Sequence, residues 1–361
     1  MHMKNHEEVP MRSFDYGKRA ASVLDPETVK MLCEIHELTG RLRHLENDKS
    51  SVLSGLQDVA KLQSTASSVR ISGYETTATR LKRLMSHQIE PRNRAERELL
   101  GYGEVLGMVY EYSLYMELTP EMIMRLYGDM HTYVPEIETN VWRTEEAIRK
   151  RPGRRKMPNY SIKTACAQDA PQMLRKLCET YEETINEECH DPLILMALFH
   201  LDFLCIRPFA HNNGKIARMV LILQLLRRSC FACRYISVDA CIENTNAEYF
   251  ESLKQSGLDW LNEENDDTAF VHYFLCTILS IYKEFDARVE FRRDKIQTKT
   301  ERIRNVFNTS ADNVGKSDIM RQCPDISMTM VEKTLSDLIQ EGYIEKIGGG
   351  RGTVYRRTIS Y

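Results

Sequence analysis

The sequence predicts a mostly α-helical protein that ends in a small helix-and-hairpin unit. Three observations carry this. The stretches Pro192 to Cys205 and Ile216 to Leu226 are apolar on nearly every face, which belongs to helices in the centre of a domain. Helix-start signals recur elsewhere, as in Asp25-Pro26-Glu27 and Thr119-Pro120-Glu121, each with Pro in the first turn and an acid near the positive end of the helix dipole. From about residue 292 the pattern changes to short helices followed by two strand-like runs around a glycine-rich turn.

Residues 1 to 25 are polar and irregular and predict a mobile tail or a strap on the surface. The helix opened by Asp25-Pro26-Glu27 carries Val29, Leu32, Ile35 and Leu38. Gly40 weakens it before Leu42 and Leu45 resume the spacing. A further helix spans about Val52 to Ser67. Residues 94 to 132 hold two more, one through Leu99, Leu100, Val105, Met108 and Val109, the other capped by Thr119. Asn140-Val141-Trp142-Arg143 predicts a short strand, and Glu145 to Thr164 is basic and turn-rich. Ala170 to Glu187 is helical, with Met173, Leu174, Leu177 and Tyr181 apolar. Past the central pair come Ile236 to Ile242, Asn246 to Trp260 and a long amphipathic helix from Thr268 to Phe291.

Composition bounds the function. A chain of 361 residues fits two or three domains, and 42% hydrophobic with 28% charged residues is ordinary for a globular protein. A net charge of −3 gives no global basic signal, so any nucleic-acid contact needs a local patch. The ten cysteines read as buried or free thiols of a reducing compartment. No secretory leader opens the chain and no segment has the length of a membrane span, so a cytoplasmic protein without membrane contact is expected.

The two core helices are joined by Ile206-Arg207-Pro208-Phe209-Ala210-His211-Asn212-Asn213-Gly214-Lys215. A helix N-terminus presents free N–H groups and a positive dipole end, and so suits an anion. Gly214 lets backbone approach a ligand, and Lys215 and Arg218, three apart, add charge. Composition alone leaves a polar interhelical turn with solvated charges as an equal alternative.

These residues resemble the signature of the Fic (Fic/Doc) family, His-x-Phe-x-Asp/Glu-Gly-Asn-Gly-Arg-x-x-Arg. Phe209, Asn213, Gly214 and Arg218 match, and Lys215 replaces the first Arg. The resemblance extends over roughly residues 60 to 290. It implies a Fic-fold helical core whose activity would be transfer of AMP from ATP to a protein hydroxyl. Three positions depart. Arg207 stands where the family has its general-base His, His211 where it has the metal-holding acid, and Asn212 where it has the first Gly. A guanidinium keeps its proton at physiological pH and offers donors only. General-base catalysis, worth about 10²–10⁴-fold in rate, needs a pKa near the working pH. Imidazole is a poor ligand for magnesium, which makes that metal doubtful here. Asn212, Asn213, Gly214, Lys215 and Arg218 remain as the phosphate-binding set, with ATP or another nucleotide as the ligand. His211 as a relocated base is the less favoured reading, because it sits at the metal position.

Other segments fit the same resemblance. Ser68, Ser72, Gly73 and Glu75 lie where some Fic proteins carry an inhibitory Ser/Thr-x-x-x-Glu-Gly/Asn segment, whose Glu pairs with the residue matching Arg218. Ser72 occupies the Glu position, so that charge pair is expected to be lost unless Glu75 replaces it. Loss of base and brake together fits one cause. The basic stretch Arg149 to Lys156 falls where Fic proteins have a β-hairpin flap that aligns a target by strand addition, which implies a protein partner docking there. Tyr249 falls in a segment that lines the family's nucleotide-base pocket; a packed core aromatic is the equal alternative.

At the C-terminal end, Ile303, Val306 and Phe307 mark a helix, Val314 to Met320 a loop and second helix, and Ser327 to Glu341 a third ended by Gly342. Tyr343 to Ile347 and Thr353 to Arg357 read as strands around Gly348-Gly349-Gly350-Arg351-Gly352. This resembles the winged helix-turn-helix superfamily. Lys333, Arg351 and Arg356 are its candidate DNA contacts; dimerisation or packing on the core is the rival.

The domains read as 1–90, an N-terminal helical segment with a degenerate inhibitory motif; 91–291, the Fic core; and 292–361, the winged helix. The expected function is a degenerate Fic protein, impaired in AMP transfer, that retains an anion loop and acts as a binding or regulatory module. The alternatives are an active nucleotidyl or phosphate-group transferase with a non-standard base, and a DNA-binding regulator using the core as sensor. The sequence does not fix the oligomeric state, and a dimer is compatible with it.

Overall fold

A computed structural model describes residues 12–45, 51–144, 163–228, 230–296, 299–309, 313–350 and 353–358. The chain divides into two compact units, Met1–Phe285 and Asp286–Tyr361. Residues 1–90 fall in the same unit as the core that follows them, and the division lies inside a helix a few residues ahead of 292.

The first unit is helical: α1 (Tyr16–Ser22), α2 (Pro26–Leu42), α3 (Ser51–Ile71), α4 (Ala78–Met85), α5 (Arg94–Tyr112), α6 (Pro120–Met130), α7 (Ala170–Asn186), α8 (Pro192–Ile206), α9 (Asn213–Arg227), α10 (Val238–Asn244), α11 (Asn246–Ser256) and the first part of α12 (Thr268–Ile296). The pair α8 and α9 forms the centre. Leu195, Leu198 and Leu201 on α8 and Ile216, Ile222 and Leu225 on α9 are fully buried. Each such side chain contributes about 1.5–3 kcal/mol by leaving water. α7 packs on α8, and α5 packs on α3, α6 and α9. Capping matches the sequence signals: Asp25 accepts from Thr28 N at 2.7 Å and Thr119 from Met122 N at 3.1 Å. No helix among the described residues is long and apolar enough to cross a membrane.

Several expectations change. Residues 12–22 are a docked strap whose Phe14 and Tyr16 are buried in the unit, not a surface tail. Its polarity is matched inside: Arg19 forms ion pairs with Asp202 at 2.7 Å and Asp267 at 2.8 Å. Gly40 stays inside α2, because packing of Leu38 and Leu42 outweighs its weak propensity. α4 had no strong sequence signal. Asn140 to Arg143 is not a strand; Arg143 lies outside regular secondary structure, its N–H bonded to Pro208 O at 3.0 Å. The basic flap stretch lies mostly at 145–162, outside the described residues. Cys230 and Cys233 stand at Cys-x-x-Cys spacing, which the reading of the ten cysteines as buried or free thiols did not single out. Both are buried, and burial pushes both thiols up, Cys230 to about 12. They are packing residues in this state, since the thiolate is the reactive form.

The second unit holds α13 (Lys299–Thr309), β1 (Val314–Gly315), α14 (Lys316–Gln322), α15 (Met328–Gln340), β2 (Ile344–Ile347) and β3 (Val354–Arg357). The sheet is antiparallel in the order β1-β3-β2, with Lys346 opposite Tyr355. Ile303, Phe307, Ile319, Leu335, Leu338 and Tyr355 share its core. Gly342, at φ +70°, ends α15 in the left-handed region, and Tyr343 N bonds back to Leu338 O at 2.9 Å. The helices and the β2–β3 hairpin follow the order read from the sequence, with β1 as the strand the sequence did not signal.

Candidate functional site

The loop between α8 and α9 is built from backbone turns and held by its neighbours. Arg207 takes a left-handed conformation (φ +50°, ψ +65°) and closes α8, its N–H donating to Phe203 O at 2.9 Å. Asn212 is also left-handed, at φ +57°, and precedes α9. Between them Phe209 is fully buried, stacked on Tyr127 with centroids 4.0 Å apart and on Trp142 at 5.4 Å. Asn213 staples the turn: its Oδ1 accepts from Phe209 N at 3.0 Å and its Nδ2 donates to Phe209 O at 2.6 Å. Arg143 clamps the outside, donating to Arg207 O at 2.6 Å, to Ile206 O at 3.2 Å and to Ala165 O. Last-turn carbonyls of α8 are thereby satisfied by a side chain.

The charged residues of the loop separate into two groups. Arg207 is half-buried and His211 is exposed at the crown. Lys215 and Arg218, placed by the sequence at an anion-facing surface, point inward instead and are only 3% and 2% exposed. Lys215 Nζ lies 2.5 Å from Glu98 Oε2 of α5. Arg218 Nε lies 2.6 Å from Asp239 Oδ1 of α10, and its Nη2 donates to Ser68 Oγ at 3.2 Å. Asp239, itself fully buried, also accepts from Tyr102 OH at 2.7 Å and from Ser64 Oγ. Burial pulls the Lys215 ammonium down against the pull of Glu98. Burial raises the Glu98 carboxyl, but Lys215 and Arg94 outweigh it and hold it below the usual glutamate range. For Arg218, burial is outweighed by Asp239, which keeps the guanidinium charged.

The segment at the end of α3 departs from its expected role. α3 runs through Ser68 to Ile71, and Gly73 at φ +90° ends it with Tyr74 N bonded to Val69 O at 3.2 Å. Ser72 Oγ donates to Ser68 O at 3.2 Å, within its own turn. Glu75 is exposed and acts electrostatically on Arg70, which is ion-paired with Glu243 at 2.6 Å. The carboxylate on Arg218 is therefore neither at position 72 nor at 75. It comes from Asp239, and α3 still reaches Arg218 through the hydroxyl of Ser68. Arg218 thus keeps a carboxylate partner, but one supplied by α10 and not by the segment at the end of α3.

Tyr249 is a packed aromatic, 3% exposed, with its OH 3.0 Å from His200 Nε2 and its ring against Phe250, Phe270 and Tyr273. It borders a small apolar cavity with His200, Leu221 and Ile242 behind the loop. Burial, with Arg218 adding, pushes His200 down to about 3, so it is neutral. In the second unit, Lys333 is exposed beside Glu332 and near Asp337 on α15, Arg356 is paired with Glu345 at 2.5 Å, and Arg351 lies outside the described residues.

Sequence reading missed the partners that organise the loop: Glu98, Asp239, Arg143 and His131. His131 is buried, its Nδ1 2.7 Å from Tyr127 O and its Nε2 2.8 Å from Asn212 Nδ2. Burial lowers its pKa, which fits a neutral ring donating to the carbonyl and accepting from the amide. Asp239 follows Ser237, the cap of α10, and so reads as an ordinary first-turn acid. Glu98 reads as a surface acid of α5. Nothing local distinguishes either.

Among the described residues no group of three or more His, Cys, Asp or Glu side chains could hold a metal ion. At the position where the family resemblance places a metal-holding acid, the side chain is the imidazole of His211, which does not fit magnesium.

Residues 117–225 match the Fic/DOC family model. A comparison with curated proteins gives no match. Solved structures share the fold. A Fic family protein from Desulfovibrio desulfuricans G20 is 18% identical, with a TM-score of 0.59 over 94% of this chain and 98% of that one. A Fic domain containing signaling protein from Bacteroides thetaiotaomicron VPI-5482 is 18% identical, with a TM-score of 0.58 over 71% and 98%. Fic-1 (residues 134 to 508) from C. elegans is 18% identical, with a TM-score of 0.55 over 73% of each chain. The matched region takes in α6, the clamp residue Arg143, the loop and nearly all of α9, so the site described above lies within the segment that matches the Fic/DOC family model.

Proposed function

We propose that this protein is a Fic-fold binding or regulatory module impaired in AMP transfer, with ATP or another nucleotide as the ligand class its loop addresses. One observation carries the reading: Arg207, a permanent cation, closes α8 where the family's proton acceptor stands. His211 at the metal-acid position points the same way. The site keeps the scaffolding of the signature, since Phe209 and Asn213 still fix the turn. It lacks a group that could take a proton from an attacking hydroxyl at position 207.

The test is incubation of the full chain with labelled ATP and magnesium. The expected result is no sustained label on the chain or on added protein. A repaired chain, Arg207→His with His211→Asp and Asn212→Gly, is expected to gain labelling; His tolerates the left-handed backbone at position 207 better than most residues. Sustained labelling by the native chain would overturn the reading. If that labelling disappeared in His211→Ala, the relocated-base transferase would replace it.

DNA binding by the second unit is a subordinate reading. Lys316 is paired with Glu332 and Arg356 with Glu345, and Lys333 stands on a face shared with acids. Nucleic-acid affinity of this unit would show as a gel shift that weakens steeply with salt.

A further inference from the structure

The two cations that an anion at the start of α9 would need are already occupied, and by carboxylates from outside the loop. Lys215 is held by Glu98 of α5, which Arg94 also meets at 3.0 Å. Arg218 is held by Asp239 of α10 and by Ser68 of α3. Both arrangements are closed. Asp239 is fixed from two further helices by Tyr102 and Ser64, all of them fully buried, and Tyr102 is kept a neutral donor because burial and Asp239 raise its pKa. A Cβ built on Gly214 would lie 3.5 Å from Arg218 Nη1, so the guanidinium runs directly beneath the first turn of α9.

We propose that Glu98 and Asp239 are built-in counter-ions that stand in for phosphate at this loop and set how weakly it binds nucleotides. The idea rests on the proposed reading of the loop as a nucleotide-phosphate site and adds what regulates it. An incoming phosphate competes with a carboxylate already at hydrogen-bonding distance and already desolvated. Release of Asp239 leaves it buried without its cation, which is strongly unfavourable, whereas Glu98 released from Lys215 keeps only Arg94. The affinity of the native loop for phosphate is therefore low in spite of its charge. Any partner that shifts α3 acts on Arg218 through Ser64 and Ser68, so this helix couples the surface of the unit to the loop.

Calorimetric binding of ATP and of inorganic pyrophosphate to the full chain, without magnesium, tests this. Glu98→Gln and Asp239→Asn keep shape and remove charge. Each is expected to bind pyrophosphate at least tenfold more tightly than the native chain. The gain is expected to vanish when the matching cation is also removed, in Glu98→Gln/Lys215→Met and Asp239→Asn/Arg218→Met. Circular dichroism and the thermal transition establish that each variant is folded. If Asp239→Asn does not fold, the less enclosed Glu98→Gln decides. A folded single variant with native affinity overturns the proposal, as does a gain that survives loss of the cation. The labelled-ATP assay on the same proteins keeps the two readings apart. Transfer by the native chain removes the impaired-transfer reading and leaves the counter-ion result standing, whereas unchanged binding removes only the counter-ions.

Discussion

Asp202 and Asp239 are both fully buried carboxylates of the first unit, each met by an arginine and a tyrosine hydroxyl, yet they serve different ends. Asp202 accepts from Arg19 at 2.7 and 3.1 Å, from Tyr16 OH at 3.0 Å and from Trp260 Nε1 at 2.6 Å. Its donors come from the N-terminal strap and from the turn after α11, so it fastens a chain end to the core. Asp239 accepts from Arg218, Tyr102 and Ser64, so it fastens the functional loop to α3 and α5. Similar chemistry is architecture at one place and control of a binding group at the other. What differs is the arginine: Arg19 belongs to the strap, whereas Arg218 belongs to the signature.

Substitution can break that comparison. Asp202→Asn leaves Arg19 with Asp267 alone and is expected to destabilise the chain by about 3–5 kcal/mol, the usual result of halving a buried pair. Denaturant unfolding measures this, and nucleotide affinity is expected to stay at the native level. A rise in pyrophosphate binding in Asp202→Asn as large as in Asp239→Asn would erase the distinction between the two carboxylates. Arg143 is the intermediate case, a buried arginine whose described hydrogen bonds go to carbonyls. Arg143→Ala is expected to lower stability by about 1–3 kcal/mol through unsatisfied carbonyls of Ile206 and Arg207, read as a lower melting temperature.

The smallest effect belongs to an exposed pair. His36 Nε2 lies 2.6 Å from Asp191, whose other oxygen caps α8 through Leu193 N at 2.8 Å. The hydrogen bond to Asp191 raises the histidine pKa above its ordinary value, with burial opposing. Because the folded pKa is the higher one, this stabilisation is fully present below the unfolded value near 6.5 and is lost as pH rises through the folded value. The pair is largely solvated, so the contribution is expected to be well under about 1 kcal/mol. His36→Gln should flatten the corresponding part of the stability–pH curve. An unchanged curve would show that Asp191 caps α8 equally well alone.

The loop shows most clearly what could be read from residues in order. Phe209, Asn213, Gly214 and Arg218 identified it by their match to the family signature, and the structure shows Phe209 as the inward anchor and Asn213 as the side chain that bonds backbone. The departure at Arg207 was equally legible, since no environment turns a guanidinium into a base at neutral pH. The direction of Lys215 and Arg218 was not. Their spacing put them on one side of α9, but whether that side faced solvent or α5 and α10 depended on packing. Tyr249 was undecided for the same reason; the structure packs it among Phe250, Phe270 and Tyr273 at the border of a small cavity. The N-terminal stretch was read as a mobile tail or a surface strap because it is polar in composition, and its burial was not legible, since inside the unit Arg12 and Arg19 meet Asp202, Asp267 and Trp260.

The sequence by itself determined the helical class, the two central helices, the cap positions, the hairpin of the second unit and the permanent cation at position 207, because each depends on a residue's own chemistry or on periodicity within one element. Only the tertiary structure decided that Glu98 and Asp239 neutralise the loop. An ion pair between helices far apart in sequence is set by which faces come together, and no local pattern records that.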